Sequence, residues 1–168
     1  MSKSEAVIQC IGVKLINAIP MSRAEYNDLR GWVLPSDENG EDAGYLVEYL
    51  DGGKANHPDF VGYISWSPAD VFEKAYRKTN GLTFGLAIEA LKLGKKVARA
   101  GWNGAGQFVY LVPANSYPAQ TGVAKQFFGD GAMVPYRAYL ALKTAQGDVA
   151  TWAPSCSDAL ADDWLIVE

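Results

Sequence analysis

The chain has 168 residues, 49% of them hydrophobic, with five Trp, nine Tyr and a formal net charge of −4. That composition suffices for one ordinary domain or two small ones and excludes an intrinsically disordered chain. No apolar run approaches the roughly 20 residues of a membrane-spanning helix, and the basic excess of a protein that tracks long nucleic acid is missing.

The N-terminal stretch carries Glu5, Gln9 and Asn17 among its apolar positions, so it lacks the apolar core of a secretory signal and reads as mature protein. Val7 to Ile19 is expected to form a strand or strand pair, with Gly12 as a bulge and Pro20 as its end. Ser22 then stands three residues before Glu25, the spacing of a capping box, and the helix RAEYNDLR should stop at Gly31. The acidic loop around Asp37, Glu38, Glu41 and Asp42 lacks the EF-hand spacing and reads as solvated, with no metal. Tyr45 to Leu50 and Val61 to Trp66 are expected strands, and Ser67-Pro68 opens a helix over PADVFEKAYR with Pro at its first position. The first unit, residues 1–78, is therefore a small β-α-β-β-α module. Its single His57 lies in a polar loop beside Pro58 with no Ser or Cys nucleophile near it, and reads as a hydrogen-bonded structural residue.

Residues 78–81 (KTNG) mark the boundary to a second unit, residues 79–168. Thr83 caps a helix whose apolar positions Phe84, Ala87, Ile88 and Leu91 follow the i, i+3, i+4, i+7 pattern, and Gly94 ends it. Lys92, Lys95 and Lys96 gather at the negative end of that helix, where charge compensation accounts for them and a phosphate site is the alternative. Val97 to Ala100 is a strand, broken by the turn Gly101-Trp102-Asn103-Gly104. In the next strand, Gln107 to Val112, alternation puts Phe108 and Tyr110 on one face and Val109 and Leu111 on the other. Residues 113–135 read as a long polar loop with a functional or interface role. Ala138 to Lys143 and Val149 to Trp152 form a hairpin, a short turn or helical stretch (ALADD) follows, and Trp164 to Val167 closes the sheet. The expected fold class is α+β: a small antiparallel sheet with one N-terminal helix, preceded by the small module.

Charge separates the two units. Residues 1–78 carry 8 Lys/Arg against 12 Asp/Glu, and residues 79–168 carry 7 against 7. A small anionic ligand remains compatible with this balance, because backbone N–H groups and a few cations suffice to hold a phosphate. Cys10 and Cys156 form no CxxC, and with one His they argue against a structural zinc site. The bland expectation is a cytosolic protein with two reduced thiols.

Two resemblances add to this. The string MSRAEYNDLRGW, then GYLVEYLDGGKANHP, then GYISWSPADVFEKAY resembles a small module that recurs in phage proteins and has no assigned chemistry. The strings TFGLAIEALKLGKKVARAGWNG, FVYLVP, PYRAYLALKTAQGDVATWAPS and DALADDW, in this order over residues 82–168, closely resemble the second type of Thoeris anti-defence protein of phages. That resemblance implies a sponge acting in the cytoplasm of the infected host. Such proteins bind cyclic ADP-ribose isomers such as glycocyclic ADP-ribose, made by the TIR-domain sensor of Thoeris, and do not cleave them. Some also take cyclic dinucleotides of CBASS at a separate site. The implied assembly is a homotetramer with pockets between protomers, and no cofactor is implied.

Carried over by motif, the implied ligand-binding residues are Trp102, Asn103, Gly104, Phe108, Tyr110, Trp152, Ser155, Asp158, Asp163 and Trp164. The chemistry is compatible with a nucleotide. A base stacks on an aromatic face for roughly 1–3 kcal/mol, and Trp102 between glycines at a turn has little packing reason to be there. Asn103 offers donors and an acceptor, Gly101 and Gly104 permit close backbone approach, and Asp158 and Asp163 can accept from ribose hydroxyls or an amino group. Phe108, Tyr110, Trp152 and Trp164 read equally well as core or interface packing. Two other functions stand beside the sponge: a cyclic nucleotide hydrolase, and a phage structural or host-factor-binding protein acting through the acidic first module.

Overall fold

The computed structural model describes residues 12–168, and the chain divides into two compact units at Arg77/Lys78. The first unit is a three-stranded antiparallel sheet in the order β1-β2-β3, formed by β1 (Ile16–Pro20), β2 (Gly44–Tyr49) and β3 (Tyr63–Pro68). Helix α1 (Arg23–Arg30) follows β1, and α2 (Ala69–Ala75) follows β3, so the order is β-α-β-β-α as the sequence suggests. The Val7 to Ile11 part of the expected first strand lies outside the described residues. Gly12 is not a bulge within a strand, which begins at Ile16. Pro20 ends β1 as expected, paired opposite Tyr45 at a position open to proline because β1 is an edge strand.

The capping box forms as its spacing predicts. The Ser22 side chain accepts from the Glu25 N–H, and the Ser22 N–H donates to Glu25 Oε2 at 2.7 Å. Gly31 closes the helix at φ 66°, a left-handed conformation that glycine adopts without cost. Tyr26, Leu46 and Ile64 form the core of this unit, flanked by Met21, Leu29, Phe60 and Trp66. The buried Glu48 carboxylate accepts from the N–H groups of Val61 and Gly62 and from Asn17 Nδ2, and these donors hold its pKa below the usual range. It thereby fixes the loop that enters β3. His57 is structural: its Nδ1 accepts from the Asp59 N–H, which leaves Nε2 to donate to the Leu29 carbonyl at 3.2 Å.

The second unit begins with α3 (Phe84–Lys92), capped by Thr83. Its end is a Schellman motif, in which the Gly94 and Lys95 N–H groups reach the carbonyls of Leu91 and Ala90 with Gly94 at φ 77°. A five-stranded antiparallel sheet follows in the order β10-β4-β5-β8-β9. Its strands are β4 (Lys96–Arg99), β5 (Phe108–Val112), β8 (Tyr139–Lys143), β9 (Val149–Trp152) and β10 (Trp164–Val167). Helix α3 lies on one face and buries Ala87, Ala90 and Leu91 against Val97, Val109 and Trp164. Each large apolar side chain so buried contributes about 1.5–3 kcal/mol.

The expected long loop at 113–135 is structured. Strands β6 (Asn115–Pro118) and β7 (Met133–Tyr136) pair as a separate two-stranded ribbon, joined through helix α4 (Gly122–Phe128). Proline in both strands and a glycine at the first helical position masked the pattern. Thr121 nonetheless caps α4, accepting from the Ala124 N–H, and Val134 and Ala119 are buried. A further short helix, α5 (Cys156–Ala159), precedes β10. The unit thus holds α3, α4 and α5, where one helix and a short turn or helical stretch before the last strand were expected.

Candidate functional site

The sheet divides four of the expected ligand residues between its two faces, Phe108 and Tyr110 on one and Trp152 and Trp164 on the other. Register pairs Val97 with Val109, Val109 with Leu142, Leu140 with Trp152, and Trp164 with Arg99. These residues alternate out of phase with Phe108, Tyr110 and Lys143, which therefore lie on the opposite face. A single pocket on one protomer cannot use both groups.

On the core side, four aromatic rings meet. Trp102 packs edge-to-face on Trp164 at 5.5 Å and on Trp152 at 6.1 Å, and Phe84 lies 5.3 Å from Trp164 and 6.4 Å from Trp152. The expectation that Trp102 has little packing reason at its turn is therefore corrected. The turn between β4 and β5 lays its ring onto the core, where edge-to-face pairs are worth about 0.5–1.5 kcal/mol each. Trp164 is 0% exposed and its indole N–H donates to the Asp158 carbonyl at 3.0 Å, so it supports the wall from behind and offers no ring face to solvent. Trp102 and Trp152 remain half-buried. Asn103 is exposed next to Trp102, and Gly104 lies against the Gln107 side chain.

Beside these rings lies an ionic network that the sequence does not disclose, because its centre, Arg99, lies about 60 residues from its partners. Arg99 Nε donates to Asp163 Oδ1 at 2.7 Å and Nη1 to Asp158 Oδ1 at 3.0 Å. Asp163 also accepts from the Gly101 N–H at 3.0 Å, which anchors the Trp102 turn. Ser155 and Asp158 form the capping box of α5: Asp158 Oδ2 accepts from the Ser155 N–H and hydroxyl, and the Asp158 N–H donates to Ser155 Oγ. The Trp102 indole N–H points at Asp158 Oδ1 at 3.4 Å. Burial pushes the Asp158 carboxyl up, but Ser155, Arg99 and Trp102 outweigh it and hold it down at about 2. Arg99 and the Gly101 N–H depress Asp163 as well, against the opposing effect of burial. Asp158 and Asp163 are thus already engaged in positioning Trp102 and its turn, and Ser155 in fixing Asp158. Cys156, beside Ser155, is exposed.

On the outer face, Phe108 and Tyr110 stand side by side, 6.1 Å between ring centroids, in a groove of about 450 Å3 that also includes Lys95, Lys96, Lys143 and Val149. Among the described residues, no grouping of His, Cys, Asp and Glu suits a metal ion, and no helix is long and apolar enough to cross a membrane.

The fold and these two faces define a small α+β domain with an aromatic, carboxylate-braced turn on its sheet. Its sequence matches the Thoeris anti-defense 2-like domain over residues 82–167, and the chain belongs to that family. A curated relative, Thoeris anti-defense 2 of Bacillus phage SP01, is 37% identical over 87 residues, which cover 51% of this chain and 94% of the relative.

Proposed function

We propose that residues 79–168 form a domain that captures a cyclic ADP-ribose-type signalling nucleotide, glycocyclic ADP-ribose first among them, and withholds it uncleaved from the Thoeris effector in an infected bacterium. The family membership and the name of the phage relative, a Thoeris anti-defense protein, supply the biological context. The observation that carries the reading is the Trp102 turn. A half-buried indole is held by two neighbouring tryptophans and by the Asp163-anchored Gly101 N–H, with exposed Asn103 beside it. Such a rim offers Trp102 for a purine to stack on while Asn103 reads a base or ribose edge.

Capture fits this chemistry better than cleavage. Asp158 at about 2 is ionised at neutral pH and too weak a base to activate water, and both carboxylates are tied to Arg99. Stoichiometric capture requires nanomolar affinity, about −12 kcal/mol, more than an open rim on one protomer supplies. A homotetramer that encloses the ligand between protomers would supply the rest. The β6–α4–β7 excursion favours such assembly: Val123 and Phe127 are 77% and 81% exposed, with Tyr117, Phe128, Met133 and Tyr136 also exposed around them.

The test is a ligand panel of glycocyclic ADP-ribose and cyclic dinucleotides, incubated with the full chain and with Trp102→Ala. The wild type should deplete free glycocyclic ADP-ribose and release it intact on heating, and Trp102→Ala should weaken capture by at least about tenfold, the loss of one stacking contact. Recovery of ADP-ribose or another cleaved product would overturn the sponge in favour of a hydrolase. Undiminished capture by the variant would remove Trp102 from the site.

A further inference from the structure

Asparagine is followed by glycine at three places in the chain, Asn39-Gly40, Asn80-Gly81 and Asn103-Gly104. Asparagine is thermolabile, and most so before glycine, whose nitrogen has no side chain beside it to keep it from the asparagine Cγ. The fold treats the three places differently. Asn39 is pinned at both ends of its amide, Nδ2 donating to Asp42 Oδ1 at 3.0 Å and Oδ1 accepting from the Glu41 N–H at 3.1 Å. At Asn80 the nucleophile is held instead, since the Gly81 N–H donates to the Lys78 carbonyl at 3.1 Å. Asn103 has neither restraint. It is exposed, and among the described residues no hydrogen bond holds its side chain or the Gly104 N–H.

The surroundings of Asn103 leave room for an attack along the chain. Up to Trp102 the turn is fixed, by the bond from the Gly101 N–H to Asp163 and by the packing of the indole on Trp152 and Trp164. Order returns at Phe108, where β5 begins. Between these anchors, Asn103, Gly104 and Ala105 donate no main-chain hydrogen bond among the described residues. The atoms nearest to where a Gly104 Cβ would stand all belong to the Gln107 side chain, which is long enough to move aside. Asn103 can therefore rotate its carboxamide onto the Gly104 nitrogen without breaking a contact that holds the turn.

We propose that Asn103 is a site of spontaneous modification, converted to aspartate and isoaspartate ahead of Asn39 and Asn80. The Gly104 nitrogen gives up its proton to solvent and attacks Asn103 Cγ. A Cγ–N bond forms, the Cγ–Nδ2 bond breaks, and ammonia leaves with a proton taken from solvent, so that a neutral succinimide ring remains. Water then adds to either ring carbonyl. Breaking the new Cγ–N bond restores the chain with aspartate, and breaking the original bond to the main-chain carbonyl carbon routes the chain through Cγ as isoaspartate. Water is consumed and ammonia released, with nothing oxidised or reduced. The consequence rests on the proposed nucleotide capture. The product loses both amide donors and adds a carboxylate beside Asp158 and Asp163, which already share a single Arg99. An anionic nucleotide meets that rim with repulsion, and capture declines as the protein ages.

The experiment follows the full chain in mildly alkaline buffer by peptide mapping, both folded and in concentrated urea. In the folded chain the peptide with Asn103 should gain the mass of an amide-to-acid exchange at least about tenfold faster than those with Asn39 and Asn80. Enzymatic methylation of isoaspartate should label the same peptide. In urea the hydrogen bonds that protect Asn39 and Gly81 are lost, and the rates at the three places should converge. Gly104→Ala should slow conversion by about tenfold or more. Asn103→Gln, whose longer side chain closes a ring more slowly, takes its place if circular dichroism shows the alanine variant misfolded. Conversion of Asn39 or Asn80 as fast as Asn103, the same ranking in urea as in the folded chain, or no slowing in the variant overturns the proposal. Fresh wild type should capture glycocyclic ADP-ribose, whereas aged wild type and fresh Asn103→Asp should not, and undiminished capture by fully converted protein overturns the consequence. Mass alone reads the modification, so failure of fresh protein to capture the nucleotide sinks the proposed function and leaves this site standing.

Discussion

Replacing Asp158 by Asn tests whether the Arg99 network braces the Trp102 turn. The substitution keeps the shape of the side chain and removes the charge that faces Arg99 Nη1 at 3.0 Å and the Ser155 hydroxyl at 2.6 Å. The wild-type carboxyl is held at about 2, against an ordinary value of 3.8. At about 1.4 kcal/mol per pH unit that corresponds to roughly 2.5 kcal/mol of preference for the charged form. The side chain is 13% exposed, so solvent screening reduces the expected loss to about 1–2 kcal/mol. The sign follows from linkage. A carboxyl depressed in the folded state contributes its full stability above about pH 4 and loses it as pH falls toward 2. The Asp158→Asn penalty should therefore be largest near pH 7 and shrink markedly by about pH 3. Urea unfolding followed by tryptophan fluorescence reads it, because Trp102, Trp152 and Trp164 surround the site. An equal penalty at both pH values, or none at pH 7, would refute the reasoning.

Other substitutions probe the remaining elements. Gly62→Ala should destabilise the first unit by about 2 kcal/mol or more, because a Cβ there would lie 2.1 Å from the Tyr49 carbonyl oxygen, and differential scanning calorimetry should show the loss. Ser22→Ala removes the α1 capping box and should cost about 1 kcal/mol by denaturant titration, with Ser22→Asp restoring most of it. Phe127→Asp should lower the mass measured by light scattering while leaving the circular dichroism spectrum of the fold unchanged, since that ring is exposed; unchanged mass would exclude α4 from the assembly surface.

Sequence legibility followed the range of the interactions. The caps of α1 and α3, the two glycine stops and the β5 alternation rest on neighbours within a few residues, and each appears in the structure. The β6–α4–β7 excursion escaped notice because Pro118 and Pro135 interrupt the strand pattern and α4 leaves Val123 and Phe127 in the open, giving no buried stripe to read. At the candidate site, Trp102 and its neighbours were identifiable as residues, but their partition between two faces was not. That partition depends on register across β4, β5 and β8, and the role of Arg99 depends on α5 and β10 returning to it from the other end of the unit. Charge was legible only locally: Lys95 and Lys96 stand out beside the α3 end, whereas Lys143, far along the chain, joins them only through the fold.

The second unit starts where it finishes. Leu82 and Trp164 exchange both main-chain hydrogen bonds, at 2.8 and 3.1 Å, and the Ile166 N–H donates to the Thr79 carbonyl. Entry and exit are thus sewn together beside β10, on the opposite edge of the sheet from β9. A domain so arranged can be spliced into or behind another polypeptide without moving its rim or its groove, and its ends can be joined and reopened at the exposed 145–148 turn by circular permutation. Its modularity is written in four residues of backbone.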